Sequence, residues 1–212
     1  MKQFLVFLIF AFAAGIALQA QVAEEFNRSK YLSEIRKERL DKDKEMISDE
    51  QSPIPEEAKA TFKKLDYYKP KVSFRKKADF NRFEQATRFL MKTTTDRLPE
   101  YSLFGQVTFR HRGIKYTLNV YQNIELTKKP GYQDYLFIPF NDLTNGGETY
   151  SGGRFLDVTD TGTDNLIIDF NKAYNPYCAY NHKYSCPVPP AENSLRIKIR
   201  AGEKKWQEKN GK

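Results

Sequence analysis

The chain has 212 residues and a formal net charge of +8, and 40% of its residues are hydrophobic and 14% aromatic. This length fits one domain better than two, and the large apolar side chains are sufficient for a folded core. The composition therefore excludes a largely disordered chain and leaves disorder to the termini.

Residues 1–20, MKQFLVFLIFAFAAGIALQA, have the layout of a secretory signal peptide. A single lysine precedes an apolar run that begins at Phe4, and small residues stand at Ala17 and Ala20 before the sequence becomes polar. The alternative is a membrane anchor, but that would need about 20 apolar residues, and this run is shorter. We predict an exported protein, periplasmic or secreted, after cleavage near Ala20.

The excess positive charge is scattered, with its densest runs at residues 63–77 and at the carboxyl end. Such runs could follow a nucleic-acid backbone, but an exported chain seldom meets nucleic acid. We therefore predict no nucleic-acid partner. Association with an anionic envelope surface stays open, and the sequence does not indicate an oligomeric state.

Helix formers dominate residues 22–47, where opposite charges recur three or four apart. Apolar positions are sparse, so we expect a long and mostly solvated helix. A second, short helix is predicted after Pro55, where acidic residues come first and lysines last. We accordingly divide the mature chain into a helical segment at 21–55, a single β-rich domain at 56–203 and a basic disordered tail at 204–212.

Short alternating runs bounded by turn residues fill the middle of the chain. The clearest is GQVTFRHRGIKYTLNVYQ, which predicts a hairpin turning at HRG. Further strands are predicted at ATRFLMKTT, DYLFIPF, NLIIDF and SLRIKIR, and a hairpin loop is predicted between strands at Phe155 and Leu166. The fold class is mainly β (α+β), either an antiparallel β-sandwich or a partly open barrel, with one long and one short amino-terminal helix.

Two long irregular segments, residues 141–153 and 171–193, follow strong strands. Their sequences FNDLTNGGETYSGGRFLDV and DFNKAYNPYCAYNHKYSCPVPPAENSLRIKIRAGE resemble the signature of an uncharacterised family, domain of unknown function 1684. The resemblance implies no reaction, but it indicates where the important residues lie. The candidate ligand-binding residues at these positions are Asp142, Thr144, Thr149, Tyr150, Arg154, Asp169, Asn171, Asn175 and Tyr180.

Cys178 and Cys186 are the only cysteines in the sequence. In an exported chain a pair of this kind is expected to form a disulfide, which requires Cα atoms within about 7 Å and hence a chain reversal between them. Separate inert thiols or a metal site that includes His182 are the alternatives. A zinc site normally needs four ligands, so we predict no metal and no cofactor.

Arg154 follows a glycine-containing turn, where its planar guanidinium could bind a carboxylate or phosphate. The alternative is an internal ion pair with Asp142 or Asp169 that joins the two loops. Both interpretations make Arg154 central to the segment.

These patterns favour a protein that binds a small anionic or sugar-like ligand between the two long loops. One alternative is a hydrolase acting on an envelope component with paired carboxylates, drawn from Asp142, Glu148, Asp157 and Asp169. Another is an envelope scaffold that docks a partner through its amino-terminal helix. The sequence leaves open whether the protein is an enzyme.

Overall fold

The computed structural model describes residues 26–207. The predicted signal peptide lies outside these residues, as does most of the predicted tail. Across the described range, the helices are too short or too polar to cross a lipid bilayer.

The long helix α1 spans Arg28–Ser48. It begins at Asn27, whose side-chain oxygen accepts a hydrogen bond of 2.9 Å from the Lys30 backbone N–H. Tyr31, Ile35 and Met46 are buried against the body of the protein, so the sparse apolar positions form a docking stripe on an otherwise polar helix. The second helix α2 is confirmed but covers only Glu56–Lys59.

Seven strands form the sheet in the order β5-β4-β3-β2-β1-β6, with β7 paired to β4. Neighbours along the main path are antiparallel, whereas β7 is parallel to β4. The sheet curls into a nearly closed barrel, which confirms the mainly β fold class and selects the barrel over the sandwich. The strands are β1 Arg75–Leu90, β2 Glu100–His111, β3 Ile114–Asn123, β4 Tyr135–Asp142, β5 Arg154–Thr159, β6 Asn165–Asp169 and β7 Ser194–Leu195.

The predicted β2–β3 hairpin is confirmed, and it turns at Arg112 and Gly113. Both residues have positive φ angles, 51° and 81°, which is the backbone required by a tight two-residue hairpin turn. Arg112 therefore lies at the tip of the hairpin, in a conformation that side chains other than glycine seldom adopt.

Alternation along β4 divides the sheet into an inner and an outer face. Leu136, Ile138 and Phe140 point into the main core inside the barrel. Tyr135 and Phe137 point outwards, into a second cluster that the cysteine-bearing segment covers. The irregular cysteine-bearing segment thus covers the outer face of β4 and β5. The cavity described below lies between this segment and the sheet.

Three sequence predictions differ from the structure. The first strand begins at Arg75, well before ATRFLMKTT, because residues 75–79 pair with β6. It also lies so close to β2 that a Cβ on Gly105 would be 2.4 Å from the Asn81 carbonyl oxygen. The predicted strand SLRIKIR is reduced to Ser194–Leu195, and the carbonyls that follow bind a side chain instead.

The predicted hairpin ladder between β5 and β6 is also wrong. The two strands are joined by the loop at 160–164 but pair with β4 and β1, at opposite ends of the strand order. Arg82 holds this loop by donating hydrogen bonds to the Asp160 carboxylate and to the Thr163 carbonyl oxygen. The loop therefore bridges the gap of the barrel instead of turning within a ladder.

The start of the predicted disordered tail contacts the body. The backbone N–H groups of Lys204 and Lys205 donate to the carbonyl oxygens of Asp66 and Glu148, at 2.8 and 3.0 Å. Trp206 packs on Tyr180 with 5.7 Å between ring centroids. These contacts attach the chain to the barrel through residue 206.

Candidate functional site

The two long loops meet on one side of the barrel. The Tyr150 hydroxyl is 3.7 Å from the Cys178 sulfur, and Phe155 and Tyr174 exchange backbone hydrogen bonds of 2.9 and 3.1 Å. Gly153 has a φ of 88°, and a Cβ there would lie 2.6 Å from the Pro189 ring. Glycine is therefore needed both for the backbone angle and for the close approach of the loops.

Arg154 is fully buried and binds only protein groups. Its guanidinium donates to the carbonyl oxygens of Ile199, at 2.8 Å, and Glu203, at 3.0 Å, and also to that of Ala201. It pairs with the Asp142 carboxylate at 3.4 Å. Of the two interpretations of Arg154, the internal ion pair describes this geometry, because no face of the guanidinium is open to a ligand.

The Asp142 carboxylate is equally occupied. It accepts hydrogen bonds from the Thr144 hydroxyl at 2.8 Å and from the Ile199 backbone N–H at 2.6 Å. The Thr144 and Thr149 hydroxyls are themselves 2.9 Å apart, and both residues are buried. This Arg154–Asp142 network closes the first loop onto the segment that follows β7.

A second buried network joins the second loop to α1. The Tyr31 hydroxyl donates to Asp169 at 2.8 Å and accepts from the Asn171 side-chain amide at 2.8 Å. Arg39 of α1 donates to the Asn171 carbonyl oxygen at 3.0 Å. Burial and the Asp169 charge raise the pKa of Tyr31 well above its ordinary value, so the hydroxyl stays a donor at neutral pH.

A third network centres on Glu203, which is 1% exposed. Its carboxylate accepts from the Tyr180 hydroxyl at 2.6 Å and from the Asn175 backbone N–H at 2.7 Å. Lys42 of α1 completes the group with an ion pair of 2.7 Å. Glu203 lies eight residues beyond β7, at the end of the family-like signature, which was the available sequence signal, but it was not among the candidate ligand-binding residues.

The predicted site residues, except Tyr150, are thus distributed over three networks, and the first and third meet at Glu203. All but one of them are buried and bonded to protein groups; the exception, Tyr150, is half-buried beside Cys178. Their shared property is that they join loops to one another or to α1. The buried and hydrogen-bonded site residues are Asp142, Thr144, Thr149, Arg154, Asp169, Asn171, Asn175 and Tyr180.

Cys178 and Cys186 lie side by side as free, buried thiols. The Cys178 backbone N–H is 3.2 Å from the Cys186 sulfur. Hydrogen bonding from the Cys186 thiol, with a smaller contribution from Tyr150, lowers the pKa of Cys178 to about 6, whereas the pKa of Cys186 is raised. The chain reversal required for a disulfide is therefore present, and Cys178 is the thiol that ionises first.

A cavity of about 560 Å³ lies beside this pair, between the outer face of the sheet, the second loop and the end of α1. We call it the aromatic cavity because seven aromatic rings line it. Phe137 and Phe155 meet edge to face with 4.8 Å between centroids, and Tyr177 and Tyr184 do so at 5.2 Å. The aromatic lining consists of Tyr101, Tyr135, Phe137, Phe155, Tyr174, Tyr177 and Tyr184.

Asp157 is the carboxylate of the aromatic cavity. One of its oxygens accepts from the hydroxyls of Tyr135, at 2.7 Å, and Tyr174, at 2.8 Å. The side chain is exposed to solvent, yet the concave walls surround it, and this desolvation raises its pKa above the ordinary value. Its second oxygen has no hydrogen-bond donor among the described residues and is available to a ligand.

Charges at the mouth of the aromatic cavity are mainly negative. Glu45 and Asp49 of α1 line it together with Asp157, and Lys42 is the single cation of the lining. Lys42 lies 4.8 Å from the centre of the Tyr174 ring and is already paired with Glu203. The potential inside the cavity therefore favours neutral or positively charged groups over anions.

Sequence reasoning named Asp157, as one of the carboxylates of the hydrolase alternative, but missed the other walls. The available signal was the alternation on β4 and β5, which places Tyr135 and Phe137 on the same outer face as Phe155 and Asp157. An aromatic-rich outer face on two neighbouring strands indicates that another part of the chain covers it. Here the second loop and α1 cover the face incompletely, and the aromatic cavity lies between them and the sheet.

A larger cavity, of about 760 Å³, lies between α1 and the gap that separates β5 from β6. Its one aromatic residue is Tyr31, whose hydroxyl is already bonded to Asp169. Residues 26–207 contain no group of three or more histidine, cysteine or acidic side chains that could hold a metal ion. Asp157 lines both cavities, so the difference lies in the apolar walls: the aromatic cavity sets seven rings beside this carboxylate, whereas the larger cavity has one.

Comparisons with known proteins support the fold without naming an activity. A solution NMR structure of an uncharacterised protein from Haloarcula marismortui is 30% identical, covers 83% of this chain and 95% of its own, and superposes with a TM-score of 0.65. No curated protein matches the chain. The profile of a family described as a protein of unknown function, DUF1684, matches residues 60–204. This chain belongs to that family.

Proposed function

We propose that the protein binds a small sugar-like ligand in the aromatic cavity. The observation that carries this proposal is the Asp157 carboxylate, which two tyrosine hydroxyls orient while its second oxygen is left available. A volume of about 560 Å³ is in the range of small-molecule sites and is large enough for one or two sugar rings.

The rings supply the apolar contact that a sugar needs. A pyranose has a flat face of C–H groups, which packs well on aromatic side chains, and its hydroxyls need directed acceptors. Phe155 and Tyr174 stand nearly perpendicular, at 88°, so together they form a corner against which one ring can lie. Asp157, next to this corner, accepts hydrogen bonds from the hydroxyls.

The charge of the aromatic cavity separates the two ligand classes that the sequence favours. Three acidic side chains and one already paired lysine line the cavity, so an anionic ligand would be repelled. A neutral sugar is tolerated, and an amino sugar gains an ion pair with Asp157. We therefore retain the sugar-like ligand and drop the anionic one for this cavity.

Export is part of the proposal. The leader predicted at 1–20 would deliver the protein to the envelope, where glycans are abundant, and the Cys178–Cys186 pair would then be oxidised in the wall of the aromatic cavity. Mass spectrometry of the protein purified from the periplasm or medium tests cleavage after Ala20 and the oxidation state together.

Isothermal titration with three glucose derivatives tests the ligand class. Glucosamine, methyl glucoside and methyl glucuronide share one ring and differ in charge. We expect glucosamine to bind at least as tightly as the glucoside and the glucuronide to bind weakest. Tightest binding of the glucuronide would refute the charge argument, and no binding by any of the three, nor by their β-linked disaccharides, would refute the proposal.

Matched variants locate the binding. Asp157→Asn and Tyr174→Phe should each weaken glucosamine binding about tenfold, because each removes a charge or a hydrogen bond at the carboxylate. Asp164→Asn is the control, since the Asp164 side chain is 94% exposed on the neighbouring loop. Equal losses in Asp157→Asn and Asp164→Asn would place the binding elsewhere.

Neither alternative function has a specific observation in its favour. Asp142 and Asp169 are buried in different hydrogen-bond networks, so these two carboxylates do not form a solvent-open pair. The apolar stripe of α1 is covered by the protein itself, so a partner would meet an outer face that is mainly charged, with Leu40 and Ile47 as its exposed apolar residues.

A further inference from the structure

A third cavity, of about 620 Å³, lies next to the tip of the β2–β3 hairpin and shares no lining residue with the aromatic cavity. We call it the basic cavity because its lining contains five cations and no acid. The cationic residues are Lys71, Lys76, Arg112, Lys198 and Arg200.

Only the two cations from the segment after β7 are neutralised. Glu148 binds Arg200 through two hydrogen bonds of 2.9 Å and lies 3.8 Å from Lys198. Among the described residues, no carboxylate forms an ion pair with Lys71, Lys76 or Arg112. Three positive charges therefore converge on the basic cavity without a counter-charge from the protein.

His111 lies among these charges. Its ring stacks on buried Phe74 with 5.2 Å between centroids and 15° between planes, which fixes it as one wall of the basic cavity. Burial lowers its pKa, and repulsion from Lys76 and Arg112 lowers it further. Burial also lowers the pKa of Lys76. Like charges gathered in a half-buried concavity oppose one another, and a bound anion would relieve that repulsion.

The lining has polar and apolar parts that suit a phosphate attached to a small organic group. Lys76 and Arg112 can donate to oxyanion oxygens, and the guanidinium can do so through two parallel N–H groups. The exposed Ile114 and the half-buried Tyr116 and Ile197 supply apolar surface beside them.

We propose that the basic cavity is a binding site for a phosphate group, held by Lys76, Arg112 and Lys71 and lined by His111. The proposal is independent of the sugar site, because the two cavities have different walls and opposite charge. A phosphate could come from a soluble phosphate ester or from the headgroup of an anionic lipid, and the two sources give different results in the test below.

The pKa of His111 is the quantity that reports phosphate binding in the basic cavity. The chain has two histidines, and the second, His182, is exposed on the cysteine-bearing loop, where it reports general salt effects. We would titrate both rings by NMR in sodium chloride and in sodium pyrophosphate of equal ionic strength. Bound pyrophosphate should raise the pKa of His111 by about one unit because an anion within about 6 Å favours the imidazolium. The shift of His182 in pyrophosphate should match its shift in chloride.

Lys76 and Lys77 supply a matched pair of variants on one strand. Their side chains point to opposite faces of β1, Lys76 into the basic cavity and Lys77 into the cavity next to α1. Lys76→Gln should weaken pyrophosphate binding about tenfold, whereas Lys77→Gln should leave it unchanged. Each variant is compared with its own chloride titration, because Lys76→Gln by itself raises the pKa of His111.

Co-sedimentation with vesicles separates the two sources. Lys76-dependent binding to phosphatidylglycerol–phosphatidylcholine vesicles, but not to phosphatidylcholine alone, would identify a lipid headgroup. Pyrophosphate binding without vesicle binding would identify a soluble phosphate. The proposal is overturned if neither probe binds, or if Lys76→Gln and Lys77→Gln lose binding equally, which would mean that only net charge matters.

Discussion

The Arg154–Asp142 network and the aromatic cavity are built from the same kinds of residue, the first around the loop at 141–153 and the second beside the loop at 171–193, yet they have different roles. In the network, every side chain is buried, and Arg154 donates to three carbonyl oxygens and one carboxylate. In the cavity, Asp157 accepts two hydrogen bonds and keeps one oxygen open to solvent. Residue type in a long loop therefore does not separate structural from functional positions, whereas the exposure of a polar atom to a cavity does.

The difference also has an energetic side. A buried ion pair that is hydrogen-bonded to its neighbours makes the structure depend on each member, because removing one leaves the others unpaired. A half-satisfied carboxylate in a cavity costs stability and is retained when a ligand uses it. Variants of Arg154 should consequently lower the stability of the fold, whereas variants of Asp157 should weaken ligand binding.

The largest expected effect is at Arg154. Arg154→Met should lower the free energy of unfolding by about 3 to 5 kcal/mol, since it leaves the Asp142 charge and three carbonyl oxygens without their donor. Guanidinium chloride denaturation followed by circular dichroism measures this. Arg200→Met is the control, because its pair with Glu148 is half exposed and should contribute far less to stability than the buried pair.

If Arg154→Met does not fold, Arg154→Lys gives the same comparison at smaller amplitude. Lysine keeps the charge but cannot donate in the plane of the guanidinium to all four acceptors. A loss no larger than that of Arg200→Met would mean that the network is dispensable, and the contrast with the aromatic cavity would disappear.

The cysteine pair belongs to both regions, because Tyr150 of the first loop contacts Cys178 while Cys186 lines the aromatic cavity. We expect glutathione disulfide to oxidise the pair to an intramolecular bond, releasing two glutathione thiols. Closing this short loop should stabilise the fold by about 2 to 3 kcal/mol.

Thermal unfolding with and without reductant checks this expectation, and Cys178→Ala with Cys186→Ala is the control that should not respond to oxidant. Because Cys178 has a pKa of about 6, its reaction should already be fast at pH 7 and should slow as the pH falls below 6. Persistent free thiols after oxidation would mean that the pair cannot reach disulfide geometry.

Sequence patterns predicted the fold class, the long helix and the β2–β3 hairpin because each depends on local periodicity or turn chemistry. The edges of the barrel were not predictable in this way. The pairing of β6 with β1 depends on how the whole sheet curls, and the shortening of SLRIKIR depends on a distant side chain, Arg154, that takes its carbonyl oxygens. Long-range partners of this kind leave no trace in a single sequence.

The candidate site shows the same limit more sharply. The internal pairing of Arg154 with Asp142 was one of the two interpretations considered, and the structure contains this pair. What the sequence lacked was burial, which decides whether a charged side chain faces a partner or solvent. Nothing in the sequence around Asp157 distinguishes it from other acidic residues. It becomes a cavity carboxylate only because the folded strands and the second loop surround it.

The smallest expected stability effect is at Asp157, and it is the one that best tests the comparison. Desolvation raises the folded-state pKa of Asp157 above its unfolded value, so the folded protein holds this proton more tightly. This group therefore makes stability fall as the pH rises through its folded pKa, and the penalty persists at pH 7. Asp157→Asn should remove the penalty while still accepting from Tyr135 and Tyr174.

We accordingly expect Asp157→Asn to change the free energy of unfolding at pH 7 by no more than about 0.5 kcal/mol, with any change in the stabilising direction. Denaturation at pH 4 and pH 7, with Asp164→Asn as the control, measures the pH-dependent part. A loss above about 1 kcal/mol would show that Asp157, Tyr135 and Tyr174 form another structural network. Unchanged stability together with lost glucosamine binding is the combination that only a ligand site produces, because a structural carboxylate cannot be replaced without cost.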